Sequence, residues 1–410
     1  MPRVLLLLPT TTYRTKAFID AALKLGVEVT AASERKNTLG AASPDSLLTL
    51  SFFDPESAGR EIVDYNERYP IDAVIPVDED TAVVAAHVAR SLALSHNSVE
   101  SAGIAKNKDR MRQALDAAGV RVPRFWRFCI DDDSKEAARR VTYPCVVKPV
   151  SLSTSRGVMR ADNEDQFIEA VSRLDRILAL PDVRRRAGAA SRHALAEEFI
   201  QGVEAAVEGL VTDGKLRVLA TFDKPDPLDG PFFEETIYVT PSRLSDQAQA
   251  DIEATTSAAV RAMGLTRGPI HAELRVNEQG AWVIEVAARA IGGLCSRALR
   301  FGGGISLEEL IVRHALGEDV TGLRREETAA AVMMIPIPRA GVLRDVTGLD
   351  AARGVAGVED ITITAHITQE LLPPPEGASY LGFIFSRAAD PAGAEAALRE
   401  AHSRIEFIIA

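Results

Sequence analysis

The stretch that decides the fold is AELRVNEQGAWVIEVAARAIGG, residues 272–293. Two runs rich in apolar residues, 272–276 and 281–286, flank a turn-forming NEQG sequence, and this pattern predicts a β-hairpin. Glu273 and Glu285 lie one in each strand, so pairing across the turn can bring both carboxylates to one face. Two like charges in an apolar setting need a cation, and Mg²⁺ prefers oxygen ligands. The pattern favours a metal site, and the alternative is that both glutamates are simply exposed.

The residues that follow the hairpin suit a site where negative charge develops. Arg289 follows Glu285 by four positions, and the pair Gly292 and Gly293 lets the backbone approach a ligand closely. The alternative for Arg289 is a salt bridge that only supports the site.

A second group of polar residues follows the strand-like sequence VVKP, residues 146–149. Lys148 leads into a loop that contains three serines and ends in Gly157. Hydroxyl and backbone N–H groups in such a loop can surround phosphates, while the lysine supplies a positive charge. The Walker A pattern is absent, and an ordinary surface turn is the alternative.

A third group is EEFIQGVE, residues 197–204, where an extended run meets a turn at Gly202 and another strand follows. The backbone of such a segment can hydrogen-bond an adenine edge, and the carboxylate of Glu204 can accept both ribose hydroxyls. The alternative is a plain junction between two strands.

The two ends of the chain differ in their patterns. Strand-like and helix-like runs alternate over roughly the first hundred residues, and they predict a parallel sheet flanked by helices. No G-x-G-x-x-G follows the first strand, which disfavours a dinucleotide-binding dehydrogenase. The closing segment predicts a separate α+β cap, with an Ala-rich helix that Asp390 caps and Pro391 begins.

The composition is that of an ordinary globular protein, with 410 residues, 46% hydrophobic and 26% charged. The 58 acidic and 47 basic residues give a net charge of -11, which opposes binding to nucleic acid. The first apolar run stops at Pro9, far short of the ~20 residues of a membrane span, and it lacks the length of a secretory signal. The three cysteines have neither metal-ligand nor redox spacing. We expect a cytoplasmic protein that binds neither nucleic acid nor membranes.

The motifs occur in a definite order: Lys108, VKP with its serine-rich loop, EEFIxGxE, GPIHAE at 268–273 and IEVAARxxGG at 284–293. This order resembles that of the ATP-grasp superfamily, over about residues 1–320. The resemblance implies an α/β and α+β multidomain fold with four parts. These are a Rossmann-like pre-ATP-grasp domain (1–104), the lid lobe of a two-lobed ATP-grasp domain (105–196), its catalytic lobe (197–322) and a small α+β C-terminal domain (323–410).

The resemblance also implies that the protein binds ATP and magnesium, with manganese as an alternative ion. Each motif residue then takes a role from the family. The ATP contacts would be Lys108 and Lys148 on the phosphates, Ser155, Arg156 and Gly157 in the loop that closes over them, Glu198 and Ile200 at the adenine-reading hinge, Glu204 on the ribose and Lys224 as a further phosphate contact. Glu273 and Glu285 would be the magnesium ligands, and Arg289 would steady the acyl phosphate and the tetrahedral intermediate.

One departure from the family pattern indicates which group within the family the chain resembles. Many members have Glu-x-Asn-x-Arg, whereas this chain has Ala287 where the asparagine would supply a metal ligand. The Ala-Ala-Arg sequence resembles that of L-amino acid ligases, including the bacilysin-pathway type, which join two unprotected amino acids. The resemblance thus implies a carboxylate–amine ligase that forms an amide through an acyl phosphate and releases ADP and phosphate.

The amino-acid substrates have several candidate contacts. An ammonium group could bind one of four carboxylates, and a carboxylate could bind His271 or an arginine beyond the glycine pair. The candidates are Glu235, Glu234, Asp78 and Glu79 for the ammonium group, and His271, Arg297 and Arg300 for the carboxylate, with Gly292 and Gly293 beside them. For each of them, a surface or core role is the alternative.

Two other functions remain open. One is an ATP-grasp carboxylase that activates bicarbonate, although the chain has no biotin-carrier lysine motif. The other is a regulatory protein that binds ATP without turning it over, although such a protein would not need Glu273, Glu285 and Arg289. Family members are often dimers, so the resemblance also allows a homodimer.

Overall fold

The N-terminal domain contains the parallel sheet that the sequence predicts. The computed structural model describes residues 1–38, 40 and 42–410. The elements of this domain are β1 (Arg3–Leu7), α1 (Thr15–Lys24), β2 (Glu28–Ser33), β3 (Leu47–Thr49), α2 (Pro55–Arg68), β4 (Ala73–Pro76), α3 (Ala82–Ser91) and α4 (Val99–Lys106). The strand order is β3-β2-β1-β4, and every neighbouring pair is parallel. Gly26 follows α1 in the left-handed region, with a φ of 66°, as expected for the residue that ends a helix.

Helix α5 (Lys108–Ala117) packs its apolar face against the catalytic sheet. Its buried residues Met111 and Leu115 belong to the same core cluster as Ile270 of that sheet. The lid sheet begins at Phe125, and the boundary of the lid lobe at residue 105 stays a prediction.

The lid is a four-stranded antiparallel sheet whose core includes Phe167 and Leu174 of a long helix. Its elements are β5 (Phe125–Cys129), α6 (Ser134–Ala138), β6 (Cys145–Pro149), β7 (Met159–Ala161), α7 (Glu164–Leu178), α8 (Pro181–Ala187) and β8 (His193–Glu198). The sheet order is β5-β8-β6-β7. The arginines at 184–186 lie on the exposed face of α8.

The catalytic lobe is built on a large antiparallel sheet that includes the predicted hairpin. Its elements are β9 (Val203–Thr212), β10 (Lys215–Lys224), β11 (Ile237–Thr240), α9 (Asp246–Ala262), β12 (Arg267–Asn277), β13 (Gly280–Ala287), β14 (Arg300–Phe301), β15 (Ile305–Ser306) and α10 (Leu307–Ala315). Strands β12 and β13 form the hairpin, with Glu273 directly opposite Glu285. The hairpin prediction is confirmed.

The C-terminal segment has the predicted mixture of helices and strands, and it shares a sheet with the catalytic lobe. Its elements are β16 (Ala329–Ile335), β17 (Gly341–Thr347), α11 (Leu349–Arg353), β18 (Val358–Ile363), β19 (Glu370–Leu371), β20 (Gly382–Ala388), α12 (Pro391–Ser403) and β21 (Glu406–Ile409). Strand β16 pairs with β11, which gives one eight-stranded sheet in the order β13-β12-β9-β10-β11-β16-β20-β18. Asp390 caps α12 by accepting a hydrogen bond from Gly393 N at 2.8 Å, as predicted.

Ion pairs dock the N-terminal domain on the catalytic lobe. Arg14 is almost fully buried and contacts Glu308 of α10 at 3.5 Å, while Lys24 contacts Glu309 at 2.8 Å. This docking fixes the carboxyl ends of the parallel strands beside the large sheet. Within the ranges that the structure describes, no helix combines the length and the apolar character needed to cross a membrane.

Candidate active site

A deep cleft lies where the lid, the large sheet and the C-terminal segment meet. Its volume, including the open mouth, is about 1430 Å³. The lid contributes Lys148 and the loop at 152–155, and the C-terminal segment contributes Tyr380 and Phe383. Tyr13 of the N-terminal domain closes one end. The lining therefore brings residues of the lid, the large sheet, the C-terminal segment and the N-terminal domain to one site.

The paired glutamates of the hairpin form the floor of the cleft. Glu285 accepts a hydrogen bond from Lys108 Nζ at 2.9 Å, and that lysine also donates to Leu152 O at 2.8 Å. Glu273 lies 3.6 Å from His271 Nε2 on the same strand. The strand register and these cations therefore hold both carboxylates towards the cleft, as the sequence predicts.

Lys224 lies within a cluster of three carboxylates, and this corrects the expectation of a phosphate contact. Its Nζ is 2.7 Å from Glu204 and 3.3 Å from Glu273, and it also pairs with Glu235. Burial opposes the charge of Lys224, yet the three carboxylates raise its pKa well above the usual range. The lysine is only 3% exposed, so its charge stabilises the acidic cluster and does not face the open cleft.

Within this cluster the carboxyl groups differ in acidity. Burial, together with the charge of Glu273, raises the pKa of Glu235 to about 7. Burial also opposes the charge of Glu273, but Lys224 and a hydrogen bond from His271 hold the pKa of that carboxyl well below its usual value. The two side chains therefore share a proton unequally, and Glu273 is the one that stays charged.

The donor set fits a divalent cation. Glu204, Glu235 and Glu273 each offer a carboxylate oxygen within 4.8 Å of the others, and Glu285 faces Glu273 across the hairpin. Hard oxygen ligands of this kind are what Mg²⁺ takes in proteins. The side chain of Ala287 supplies no third ligand at the position where the family asparagine would lie.

A buried ionic network holds Lys148, the lysine of the VKP sequence. Glu197 is 2.5 Å from Lys148 Nζ and 2.8 Å from Arg112 Nε. Arg112 is fully buried and also donates to Ile284 O of β13. The network links α5, the lid and the catalytic sheet at one point. Burial raises the pKa of a carboxyl, but these two cations lower that of Glu197.

The predicted adenine hinge follows this network. Glu198, Phe199 and Ile200 line the cleft, and the side chain of Glu198 turns outward to Arg124 at 3.2 Å. The backbone N–H of Glu198 also donates to Arg124 O at 2.8 Å, and the adenine-reading role of this segment stays a prediction. Farther along, Glu204 Oε2 accepts a hydrogen bond from Arg275 Nε at 3.1 Å.

Arg289 lies at the floor of the cleft beside the N-terminal domain. Its Nε is 3.3 Å from Glu79, which follows a parallel strand. Burial would lower the pKa of Arg289, but Glu79, Glu285 and Asp78 raise it, so the guanidinium stays charged. Glu79 therefore pairs with this arginine in the structure.

His271 is held between two glutamates. Its Nδ1 is 3.3 Å from Glu208, a fully buried residue that also accepts a hydrogen bond from Ile291 N at 3.0 Å. Burial opposes the charge of His271, yet its hydrogen bonds to Glu208 and Glu273 raise its pKa. Glu208 thus orients the ring and the chain segment after Arg289 together.

The end of the cleft near Gly292 and Gly293 is largely apolar. Both glycines line it together with Met334 and Phe383. Gly293 has a φ of 59°, and a Cβ there would lie 2.9 Å from Phe383 Cζ, so the chain needs glycine at this position.

Two predicted substrate arginines lie outside the cleft, which corrects that expectation. Arg297 pairs with Asp360 at 2.6 Å and lies over the ring of Phe385, while Arg300 contacts Glu359 at 3.1 Å. Both therefore bind the C-terminal segment. The sequence missed this because strand β18, which carries the acidic partners, is remote along the chain.

The phosphate loop, defined as residues 151–157, is divided between two surfaces. Ser153, Thr154 and Ser155 line the cleft, as predicted for Ser155. Arg156 and Gly157 instead contact the C-terminal segment. Sequence reasoning also missed Arg112 and Glu208 altogether, although a charged residue inside an apolar strand such as β9 is a signal for a paired, buried group.

Three family models match successive parts of the chain. They are described as ATP-grasp N-terminal domain, residues 19–96; ATP-grasp domain, residues 141–298; and L-amino acid ligase C-terminal domain 2, residues 333–410. Together with the fold and the cleft, these matches define the class: the chain belongs to the ATP-grasp superfamily, and its C-terminal domain is of the L-amino acid ligase type.

Individual relatives agree with this class. The fold is similar to that of an L-amino acid ligase from Bacillus licheniformis, with a TM-score of 0.84, 26% identity and coverage of 100% of this chain and 99% of that one. An uncharacterized protein of Sinorhizobium fredii is 23% identical over 100% of this chain and 84% of its own length. Alanine–anticapsin ligase from Bacillus amyloliquefaciens is 26% identical over 63% of this chain, which spans only 56% of that relative. The chain is an ATP-grasp ligase.

Proposed function

We propose that this ligase joins two unprotected amino acids into a dipeptide and converts ATP to ADP and phosphate. The carboxylate of the first amino acid attacks the γ-phosphate, and ADP leaves. The amine of the second then attacks the carbonyl carbon of the acyl phosphate, and phosphate leaves with the amide bond formed. The observation that carries the proposal is the floor of the cleft, where Glu273 and Glu285 face each other beside Lys108 and Arg289.

The charges of the cleft support transfer of a phosphoryl group. Lys108 and Lys148 line it from two sides, and Arg289 stays charged on its floor. Such fixed cations stabilise the negative charge that develops in the transition state, because they need no reorganisation. Magnesium, held by Glu273 and Glu285, would neutralise phosphate charge and orient the oxygens.

The substrate end supports amino acids as the two substrates. Glu235 lines the cleft beside His271, so an ammonium group and a carboxylate each have a candidate partner there. Gly292 and Gly293 leave backbone exposed next to Arg289. The apolar lining of this end suits the side chain of an amino-acid substrate. These contacts remain part of the proposal.

The lid supports the acyl phosphate step. The serines of the phosphate loop reach the cleft from above, while the hairpin lies below. A closed lid excludes the water that would hydrolyse an acyl phosphate. The lid residues therefore bind ATP and protect the intermediate.

The test is magnesium-dependent phosphate release from ATP with single and paired amino acids, with mass spectrometry on every pair that stimulates release. We expect release to require two amino acids and the product to weigh one water less than their sum. Stimulation by bicarbonate alone, or release without an amide product, would reject the dipeptide proposal.

A matched pair of variants controls this test. Glu285→Gln removes a proposed magnesium ligand and should abolish release, whereas Glu278→Gln changes an exposed glutamate in the turn of the same hairpin. Release that persists in Glu285→Gln would show that the hairpin glutamates are not the metal ligands. The cytoplasmic location and the homodimer remain predictions, which fractionation and light scattering would check.

A further inference from the structure

The phosphate loop is bound by the C-terminal domain as well as by the lid that carries it. The N–H of Gly157 donates a hydrogen bond to Pro375 O at 2.9 Å. Arg156 Nε donates to Glu376 O at 3.0 Å. Both residues directly follow Ser155, which lines the cleft. A short segment of the C-terminal domain, residues 373–377, therefore contacts the loop from outside; we name it the latch segment.

The latch segment also binds the lid helix α7 through one ion pair. The Glu376 carboxylate accepts two hydrogen bonds from Arg173, at 2.5 Å from Nε and 2.8 Å from the terminal nitrogen. Bidentate pairing of this kind fixes orientation as well as distance. The guanidinium also lies over the ring of Phe232, with 5.0 Å to the ring centre. Arg173 lowers the pKa of Glu376, so the pair is charged at neutral pH.

The backbone of the phosphate loop requires such support. Thr154 and Ser155 have φ values of 55° and 53°, in the left-handed region that residues with a Cβ seldom adopt. Conformations of this kind persist only where the surroundings hold them. Gly157 has a φ of 75°, and a Cβ there would lie 2.8 Å from Leu174 Cδ1 of α7. The loop therefore fits closely between α7 and the latch segment.

The latch segment continues directly into the lining of the cleft. Ala378 and Tyr380, two and four residues beyond Glu376, both line it. Gly377 allows the sharp turn between the two regions, since a Cβ there would lie 1.7 Å from Leu372 O. One stretch of chain thus contacts the phosphate loop, α7 and the substrate end of the cleft.

We propose that Glu376 is a positioning residue that, through Arg173 and the loop residues Arg156 and Gly157, holds the phosphate loop closed over ATP. Glu376 touches none of the reacting groups. This inference rests on the proposed function, because a closed loop matters most to an enzyme that protects an acyl phosphate from water. The C-terminal domain then contributes to coupling ATP consumption to product formation.

The first test compares phosphate released with dipeptide formed. Glu376→Gln keeps the size of the side chain and removes its charge. We expect the ratio of phosphate released to dipeptide formed to rise about two- to tenfold, because loss of one bidentate pair shifts the phosphate loop from the closed towards the open state. The control is Glu400→Gln, which breaks a pair with Arg404 within one helix of the same domain and should leave the ratio unchanged. The charge-swapped double variant Glu376→Arg with Arg173→Glu should move the ratio back towards the wild-type value. If Glu376 only stabilised the fold, Glu376→Gln would lower phosphate release and dipeptide formation by the same factor.

The second test does not depend on turnover. Hydrogen exchange of the peptide that covers the phosphate loop should be faster in Glu376→Gln than in the wild type, and unchanged in Glu400→Gln. An unchanged ratio with unchanged exchange would overturn the inference. A wild-type protein that binds ATP but forms no dipeptide would overturn the proposed function, and the exchange result would still decide the role of the latch segment.

Discussion

The buried network around Glu197 makes a prediction whose size follows from its geometry. At an effective dielectric constant of about 20, a charge pair at 2.5–2.8 Å is worth about 6 kcal/mol before desolvation is subtracted. Glu197→Gln keeps the shape but leaves Lys148 and Arg112 without a counter-charge, and both are at most 5% exposed. Removing one partner of a buried pair costs about 3–5 kcal/mol. We expect the free energy of unfolding to fall by that amount.

Urea unfolding followed by tryptophan fluorescence measures this change, because both tryptophans lie on strands that adjoin the network: β5 pairs with β8, and Arg112 donates to Ile284 O of β13. Trp126 is on β5 of the lid and Trp282 is on β13. With a slope of about 2–3 kcal/mol per M, the midpoint should fall by about 1–2.5 M. The neighbouring substitution Glu198→Gln is the control, since its partner Arg124 is exposed and the pair is worth about 1 kcal/mol or less. Equal, small shifts for both variants would refute the reasoning.

Three further predictions concern pH, thiol reactivity and catalysis. Burial, with Arg267 and Arg217 nearby, lowers the pKa of His314 to about 4, so the unfolded state binds a proton first as pH falls below about 6.5. The free energy of unfolding, measured with urea, should then fall by about 2 kcal/mol between pH 7 and pH 5, and His314→Gln should reduce this dependence on pH. The same dependence on pH in the variant and the wild type would contradict this. Burial raises the pKa of the Cys145 thiol to about 12, and Cys295 is also buried, so iodoacetamide should label only the half-buried Cys129, as mass spectrometry would show; labelling of all three at the same rate would be the contrary result. Arg289→Lys should lower kcat about 100- to 1,000-fold with little change in the KM for ATP, since the guanidinium acts on developing charge; a change in KM alone would point to a binding role.

Local sequence features predicted the parts of the site that lie on one hairpin or one loop. The turn-forming residues between two apolar runs predicted the hairpin of β12 and β13. A shift in register between Glu273 and Leu274, which the sequence did not predict, brings Glu273 directly opposite Glu285. A local pattern also predicted the helix cap at Asp390, whose hydrogen bond is to a residue three positions away.

Contacts between distant segments account for the errors. Lys224 was expected to face phosphate, but the assembled sheet places it among carboxylates from β9, from β12 and from the segment before β11. Arg297 was expected in the cleft, but Asp360, 63 residues later, binds it elsewhere. The pairing of β11 with β16, which joins the C-terminal domain to the large sheet, links segments almost a hundred residues apart. No local pattern encodes partners of this kind, which depend on the assembled sheet.

The most direct test of the central claim follows oxygen from the substrate to the phosphate. With a substrate pair that forms dipeptide, the amino acid that supplies the carboxylate is labelled with ¹⁸O in that group. An acyl phosphate transfers one carboxylate oxygen to phosphorus, so the released phosphate should carry one ¹⁸O atom and the amide should keep the other. Phosphate without ¹⁸O, released in step with dipeptide, would contradict an acyl phosphate intermediate and with it the mechanism proposed for this cleft.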